Sequence, residues 1–210
     1  MPQTSLTPDR KAAEALLAAA EEKNPGPWGA HSRNVALCAE RIAAACGMEP
    51  EKAYVLGLLH DIGRRFGKGH LRHVYDGWKY LREIGYPEAA KICMTHSFCI
   101  QDPETFVGKR DLSPQEQEEL FRWLRSCTYD DYDRLIQLCD ALGAAEGIVR
   151  VEERMEDVRR RYGSYPQEKW DRNMELKRYF EHLCGRELYE TVGLRADLPA
   201  GKTEQKEEPT

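Results

Sequence analysis

What the sequence lacks narrows the field first. No stretch approaches the roughly 20 consecutive apolar residues that a membrane-spanning helix needs. The opening MPQTSLTPDRK reaches its charged residues before any apolar run. Neither a membrane partner nor a signal peptide is therefore expected. The seven cysteines, Cys38, Cys46, Cys93, Cys99, Cys127, Cys139 and Cys184, are scattered and form no CxxC pair. That pattern argues against a thiolate-ligated zinc site. It predicts small core residues in a reducing, cytoplasmic compartment. With 210 residues the chain buries enough apolar surface to need no disulfide staple. Positive charge is not in excess, since 31 Lys and Arg stand against 36 Asp and Glu, a net charge of −5. This balance excludes non-specific coating of nucleic acid and leaves room for a small anion in a locally basic pocket. Strand patterning is nearly absent and no internal repeat is found.

What is present is helical. Residues 9–22, rich in alanine and leucine, favour a helix. The breaker NPGPW ends it, and a second helix is expected from about Trp28 to Ala45, stopping at Gly47. A third starts near Pro50 and carries EPEKAYVLGLLHDIGRR, with proline in its first turn and early acidic residues. After the Gly67-Lys68-Gly69 loop, helices are expected over about 71–84 and 87–97. QDPETFVGKRDLSP reads as a long loop, closed by a capping box at Ser113 and Glu116 that starts a helix to about Cys127. Further helices are expected in YDRLIQLCDALGAAEG, over 147–161, and over 166–192 with a break near Gly185. The reading is all-α: one domain over 1–195, a helical bundle of about 27–145 with a C-terminal helical extension of about 147–192, and a disordered tail over 196–210.

Three polar features interrupt this apolar pattern. His60-Asp61 follows Leu56, Leu58 and Leu59, which places the pair on a largely buried helix. A buried carboxylate needs a partner, and a metal or an ion pair each supplies one. His31 shares helical spacing with Val35, Cys38, Ile42 and Ala45 and so points inward, as a satisfied core histidine also would. Asp140 lies one turn after Ile136, between Cys139 and Ala141, and a capping role is its plain alternative. Taken together, two histidines and two aspartates on separate buried segments share one explanation: they converge on a divalent cation.

The order His31, His60-Asp61, Asp140 resembles the HD-domain superfamily of metal-dependent phosphohydrolases. GAHSRNVALCAERIAAACG, AYVLGLLHDIGR and LIQLCDALG carry the likeness, over roughly residues 27–145. The resemblance implies a metal held by His31, His60, Asp61 and Asp140. In two-metal members a second ion takes Asp61 as a bridge with His73 and His96. In the one-metal form His73 and His96 contact phosphate or line the pocket. The resemblance also implies one or two divalent ions per chain, drawn from Fe, Mn, Ni, Mg or Zn, with Fe or Mn for the two-metal form. His70 is a rival to His73, and His182 is expected at the surface.

Gly57 and Gly77, each a turn from a candidate ligand, suggest close backbone approach or plain helix packing. Arg64, three and four residues after the pair, can stabilise charge on a phosphate, with Arg65 and Lys68 less well placed; the plain alternative is that Arg64 or Arg65 neutralises a nearby carboxylate or reaches solvent. Hydrolysis of a phosphate ester of a small molecule or nucleotide, by water that the metal activates, is the implied activity. In it Asp61 holds the metals, Asp140 orients the site and accepts a proton, and Arg64 stabilises negative charge. Two alternatives stay open: a di-iron HD-type oxygenase, and a non-catalytic nucleotide- or metal-binding module signalling through the 147–192 helices.

Overall fold

The structure is a computed structural model that describes residues 6–194. Helix α1 (Arg10–Lys23) starts at Asp9, whose side chain accepts the Ala12 N–H at 2.7 Å. Such a cap is worth about 1 kcal/mol. Helix α2 (Trp28–Cys46) stops at Gly47, in the left-handed region at φ 72°. Helix α3 (Pro50–Leu59) has proline at its start and buries every residue from Ala53 to Leu59. It is the central strut, and α2 packs along it so closely that a Cβ on Gly57 would sit 2.9 Å from Ala36 Cα. The close approach expected of Gly57 is thus present.

The expectation that α3 continues through the HD pair is corrected. The α-helix ends at Leu59, and Asp61 leaves it at φ −103°, ψ 13°. Ile62–Phe66 then forms a 3₁₀ turn. The turn seats Gly63 against the next helix so tightly that a Cβ would lie 1.9 Å from the carbonyl oxygen of His73. A continuous α-helix does not deliver the chain to that contact in this structure.

Helix α4 (Leu71–Glu83) packs on α5 (Pro87–Thr95), with Gly77 against Cys93. The following loop holds one short 3₁₀ turn, Pro103–Thr105. Helix α6 (Pro114–Ser126) opens with the expected Ser113–Glu116 capping box, and α7 (Asp131–Asp140) with a second one, Asp130–Asp133. Helix α8 (Val151–Tyr162) buries only Val151 and Met155. Helix α9 (Gln167–Cys184) returns to the bundle, burying Asn173, Leu176 and Phe180 and packing on α2 and α7. Gly185 breaks the chain before the short α10 (Leu188–Thr191), as expected. Among the described residues there is no β-strand, and no helix is long and apolar enough to cross a membrane. The disordered tail expected over 196–210 lies outside the described residues.

A second expectation needs correction. Cys46 and Cys184 form a disulfide with Cα atoms 4.4 Å apart, tying the end of α2 to the end of α9. The reading of all seven cysteines as free thiols therefore fails for this pair. A separation of 138 residues leaves no local spacing signal, so only the packing of α9 on α2 reveals it. The other five are free, and four of these are buried.

Candidate metal centre

Five segments meet at one point of the bundle. The first turn of α2 brings His31, and the break after α3 brings His60 and Asp61. The first turn of α4 brings His73, the end of α5 brings His96 and the end of α7 brings Asp140. All four imidazoles and Asp61 are buried. Asp140 keeps 32% of its side chain exposed to the cleft.

The ring nitrogens are not interchangeable. His31 Nδ1 lies 2.8 Å from the Gly143 carbonyl, His60 Nδ1 2.7 Å from Gly57, and His96 Nδ1 2.9 Å from Cys93. A carbonyl oxygen only accepts, so each Nδ1 carries the proton and each Nε2 keeps its lone pair. This is the arrangement that orients a histidine for metal. The Nε2 atoms then converge: His31 to His60 at 3.1 Å, and His73 to His96 at 3.4 Å. Asp140 Oδ1 lies 3.0 Å from His31 Nε2 and 3.7 Å from His60 Nε2. Asp61 Oδ1 lies 3.0 Å from His73 Nε2 and 3.6 Å from His96 Nε2. Asp61 Oδ1 is also buried with no well-aligned hydrogen-bond donor. Facing lone pairs beside an orphaned carboxylate oxygen call for a positive charge between them. His31, His60 and Asp140 form one group that could hold a metal, and His60, Asp61 and His96 form another.

Electrostatics follow the same geometry. Burial drives the Asp61 carboxyl upward, but Arg64, His73 and His60 outweigh it and hold it well below the usual carboxylate range. Burial likewise opposes the Asp140 charge, and the adjacent His31 and His60 rings outweigh it and hold it well below the usual carboxylate range. For His60 burial lowers the pKa, yet Asp61 and Asp140 leave it raised. His96, buried beside His60, is pushed down to about 3. Its imidazole stays neutral and available as a donor.

The structure brings together all six expected ligands. Arg64 is at the site too, but it is engaged: Nε donates to Asp61 Oδ2, and Nη1 reaches the Gly69 carbonyl at 3.4 Å. Arg65 stacks on the Tyr80 ring, 3.9 Å from its centroid. His70 lines the cleft outside the two ligand groups, and His182 is exposed. Sequence reasoning missed the backing of the site. Gly143, whose carbonyl aligns His31, lies so close to α2 that a Cβ would meet Val35 Cγ2 at 2.6 Å. It also missed a buried brace between α5 and α7. There Thr95 Oγ1 donates to Asp133 Oδ1 at 2.8 Å, and Gln137 Nε2 donates to the Thr95 carbonyl at 3.1 Å. A glycine after an aspartate in CDALG was the only signal for the first, and none existed for the second.

Above the ligands opens a cleft of about 740 Å³. Its floor includes His31, Asp61, His73, His96 and Asp140, and its far wall comes from α8 and α9. The HD domain family matches residues 28–145, a span that contains all six ligand candidates and stops before α8. A search of curated proteins finds no significant match, and a search of solved structures finds none either. With more than half its length matched and the His/Asp cluster in place, the chain belongs to the HD domain family.

Proposed function

We propose that the protein is a metal-dependent phosphohydrolase that cleaves a phosphate ester of a small molecule or nucleotide. The observation that carries this reading is the convergence of four Nε2 atoms and two aspartates on the floor of a cleft large enough for such a substrate. The donor set is nitrogen and oxygen without thiolate, which suits Fe, Mn, Ni, Mg or Zn.

In this reading His31, His60, Asp61 and Asp140 would hold one divalent ion, and Asp61 with His73 and His96 would hold a second. A bound divalent ion supplies Lewis acidity, which acidifies water and draws charge from phosphoryl oxygens. The chain does the rest. Backbone carbonyls of Gly143, Gly57 and Cys93 fix three imidazoles in the right tautomer. Arg64 holds Asp61 by its Oδ2, leaving Oδ1 toward His73 and His96. That makes Arg64 a positioning residue first. Asp140 is the carboxylate open to the cleft, and it accepts the proton that the attacking water gives up. The buried floor keeps bulk water away from the ligands.

The test is elemental analysis of freshly isolated protein, followed by a phosphatase and phosphodiesterase panel on the metal-loaded form. Release of phosphate from a panel member that stops on chelation supports the reading. Oxygen consumption by the iron-loaded protein with no phosphoester turnover would replace it with the oxygenase. Turnover of neither would leave a binding module.

A further inference from the structure

Beyond the span matched by the HD domain family, one cation stands out. Lys169, in the first turn of α9, reaches into the cleft and donates from Nζ to the Ser97 carbonyl at 2.9 Å. Ser97 directly follows His96, and its hydroxyl lies 3.0 Å from His96 Nε2. Lys169 thus places its ammonium beside the ligand helix. The neighbouring chain holds it there. Asn173 Nδ2 donates both to the Lys169 carbonyl at 3.0 Å and to the Tyr165 hydroxyl at 2.9 Å.

No carboxylate answers the charge of this ammonium among the described residues. Among the described residues Lys169 makes no ion pair, whereas Arg64 is paired with Asp61. Three arginines of the α8 wall, Arg154, Arg160 and Arg161, share the single carboxylate of Asp157. Its contacts are the Ser97 carbonyl and the face of the Tyr165 ring, 6.0 Å from the ring centroid, so a part-buried ammonium is left with donors to spare and no carboxylate beside it. Burial lowers the Lys169 pKa, and Cys99 and then Asp140 pull the other way without overcoming it. A group kept in that setting has a use for an anion in the cleft.

We propose that Lys169 binds the phosphate group of the substrate at the metal centre, and that the preferred substrates are phosphomonoesters. A terminal phosphate carries up to two negative charges near neutral pH, where a diester carries one, so an extra unpaired cation favours the monoester. This inference rests on the phosphohydrolase reading and assigns its specificity to α9, outside the part common to the family. The guanidinium of Arg64 serves Asp61, and the Lys169 ammonium serves the substrate.

Calorimetry on the metal-loaded full chain separates these roles, with inorganic phosphate and dimethyl phosphate as probes. Wild type is expected to bind phosphate more tightly than dimethyl phosphate. Lys169→Met should weaken phosphate binding about tenfold to a hundredfold, the loss expected for one charge-assisted hydrogen bond. Its metal content should stay at the wild-type value. Lys169→Arg, which keeps the charge and guards against a folding defect, should recover part of the affinity. In turnover, the Met variant should lose its monoester-over-diester preference. Unchanged phosphate affinity in a folded, metal-loaded Lys169→Met overturns the inference and leaves the hydrolase reading standing. A wild-type protein that binds neither probe and turns over no phosphoester overturns both.

Discussion

His31 Nε2 and His60 Nε2 face each other at 3.1 Å while the Nδ1 of each ring is tied to a backbone carbonyl. With the protons on Nδ1, no hydrogen bond between neutral rings spans that gap. A divalent cation held between the two lone pairs would relieve that contact. His60→Ala or Asp61→Ala is therefore expected to abolish metal binding and activity while leaving a folded helical protein. Circular dichroism and elemental analysis on the same samples check this. Full activity in either variant would contradict the assignment.

Acid should destabilise the metal-free protein, and the sign follows from the site. His96 has its pKa pushed down to about 3, against about 6.5 in an unfolded chain. As pH falls below about 6.5 the unfolded chain takes up this proton and the native chain does not. Stability is lost at up to about 1.4 kcal/mol per pH unit until the pH nears about 3. Asp61 and Asp140, both held well below the usual range, add a loss of the same sign below about pH 4. His60 is raised, so its stabilisation is present at low pH and fades as pH climbs through its folded value. His73, also lowered by burial, adds to the loss, so urea unfolding in chelator across pH 4–7 should show the decline, and His96→Gln should make it shallower. An unchanged slope in that variant would count against the burial of a neutral His96.

Gly63 is expected to tolerate no side chain. A Cβ there would lie 1.9 Å from the His73 carbonyl and 2.5 Å from the Gly77 nitrogen, both backbone atoms. Gly63→Ala must push the 3₁₀ turn off α4, at a cost of about 1–3 kcal/mol or more. Because the turn follows Asp61 and α4 carries His73, metal affinity should fall with stability. Thermal unfolding and a metal titration read the two effects. Wild-type values in both would show that the approach is looser than the geometry indicates.

The Cys46–Cys184 bond closes a long loop and ties α9, with Lys169 at its start, to α2. Reduction, or Cys184→Ser, is expected to lower stability by about 2–5 kcal/mol. The six ligand candidates all lie before residue 145, so metal stoichiometry should be unaffected. Denaturant unfolding with and without reductant, and a count of free thiols, measure this. Seven titratable thiols in the untreated protein would refute the bond.

Much of this was legible in the chain itself. Helix periodicity, the prolines at Pro50, Pro87 and Pro114, and the glycines at Gly47 and Gly185 placed the elements to within a few residues. A buried His or Asp in an apolar face is rare enough to signal chemistry, which is why His31, His60, Asp61 and Asp140 stood out. What failed depended on contacts between distant segments. The helix break at Asp61 goes with the Gly63 contact on α4, and the disulfide with α9 lying across α2. The pairing of Arg64 with Asp61, three residues apart, was an alternative the spacing itself offered. Lys169 sits 29 residues after Asp140 in a stretch dense with other charges, and only the fold brings it to Ser97, the residue after His96.

Metal stoichiometry tests the centre most directly. Wild-type protein, stripped with chelator and reloaded with manganese or iron, should bind two ions per chain, and His96→Ala one fewer. Two ions in both proteins, or none in the wild type, would contradict a centre built from these six side chains.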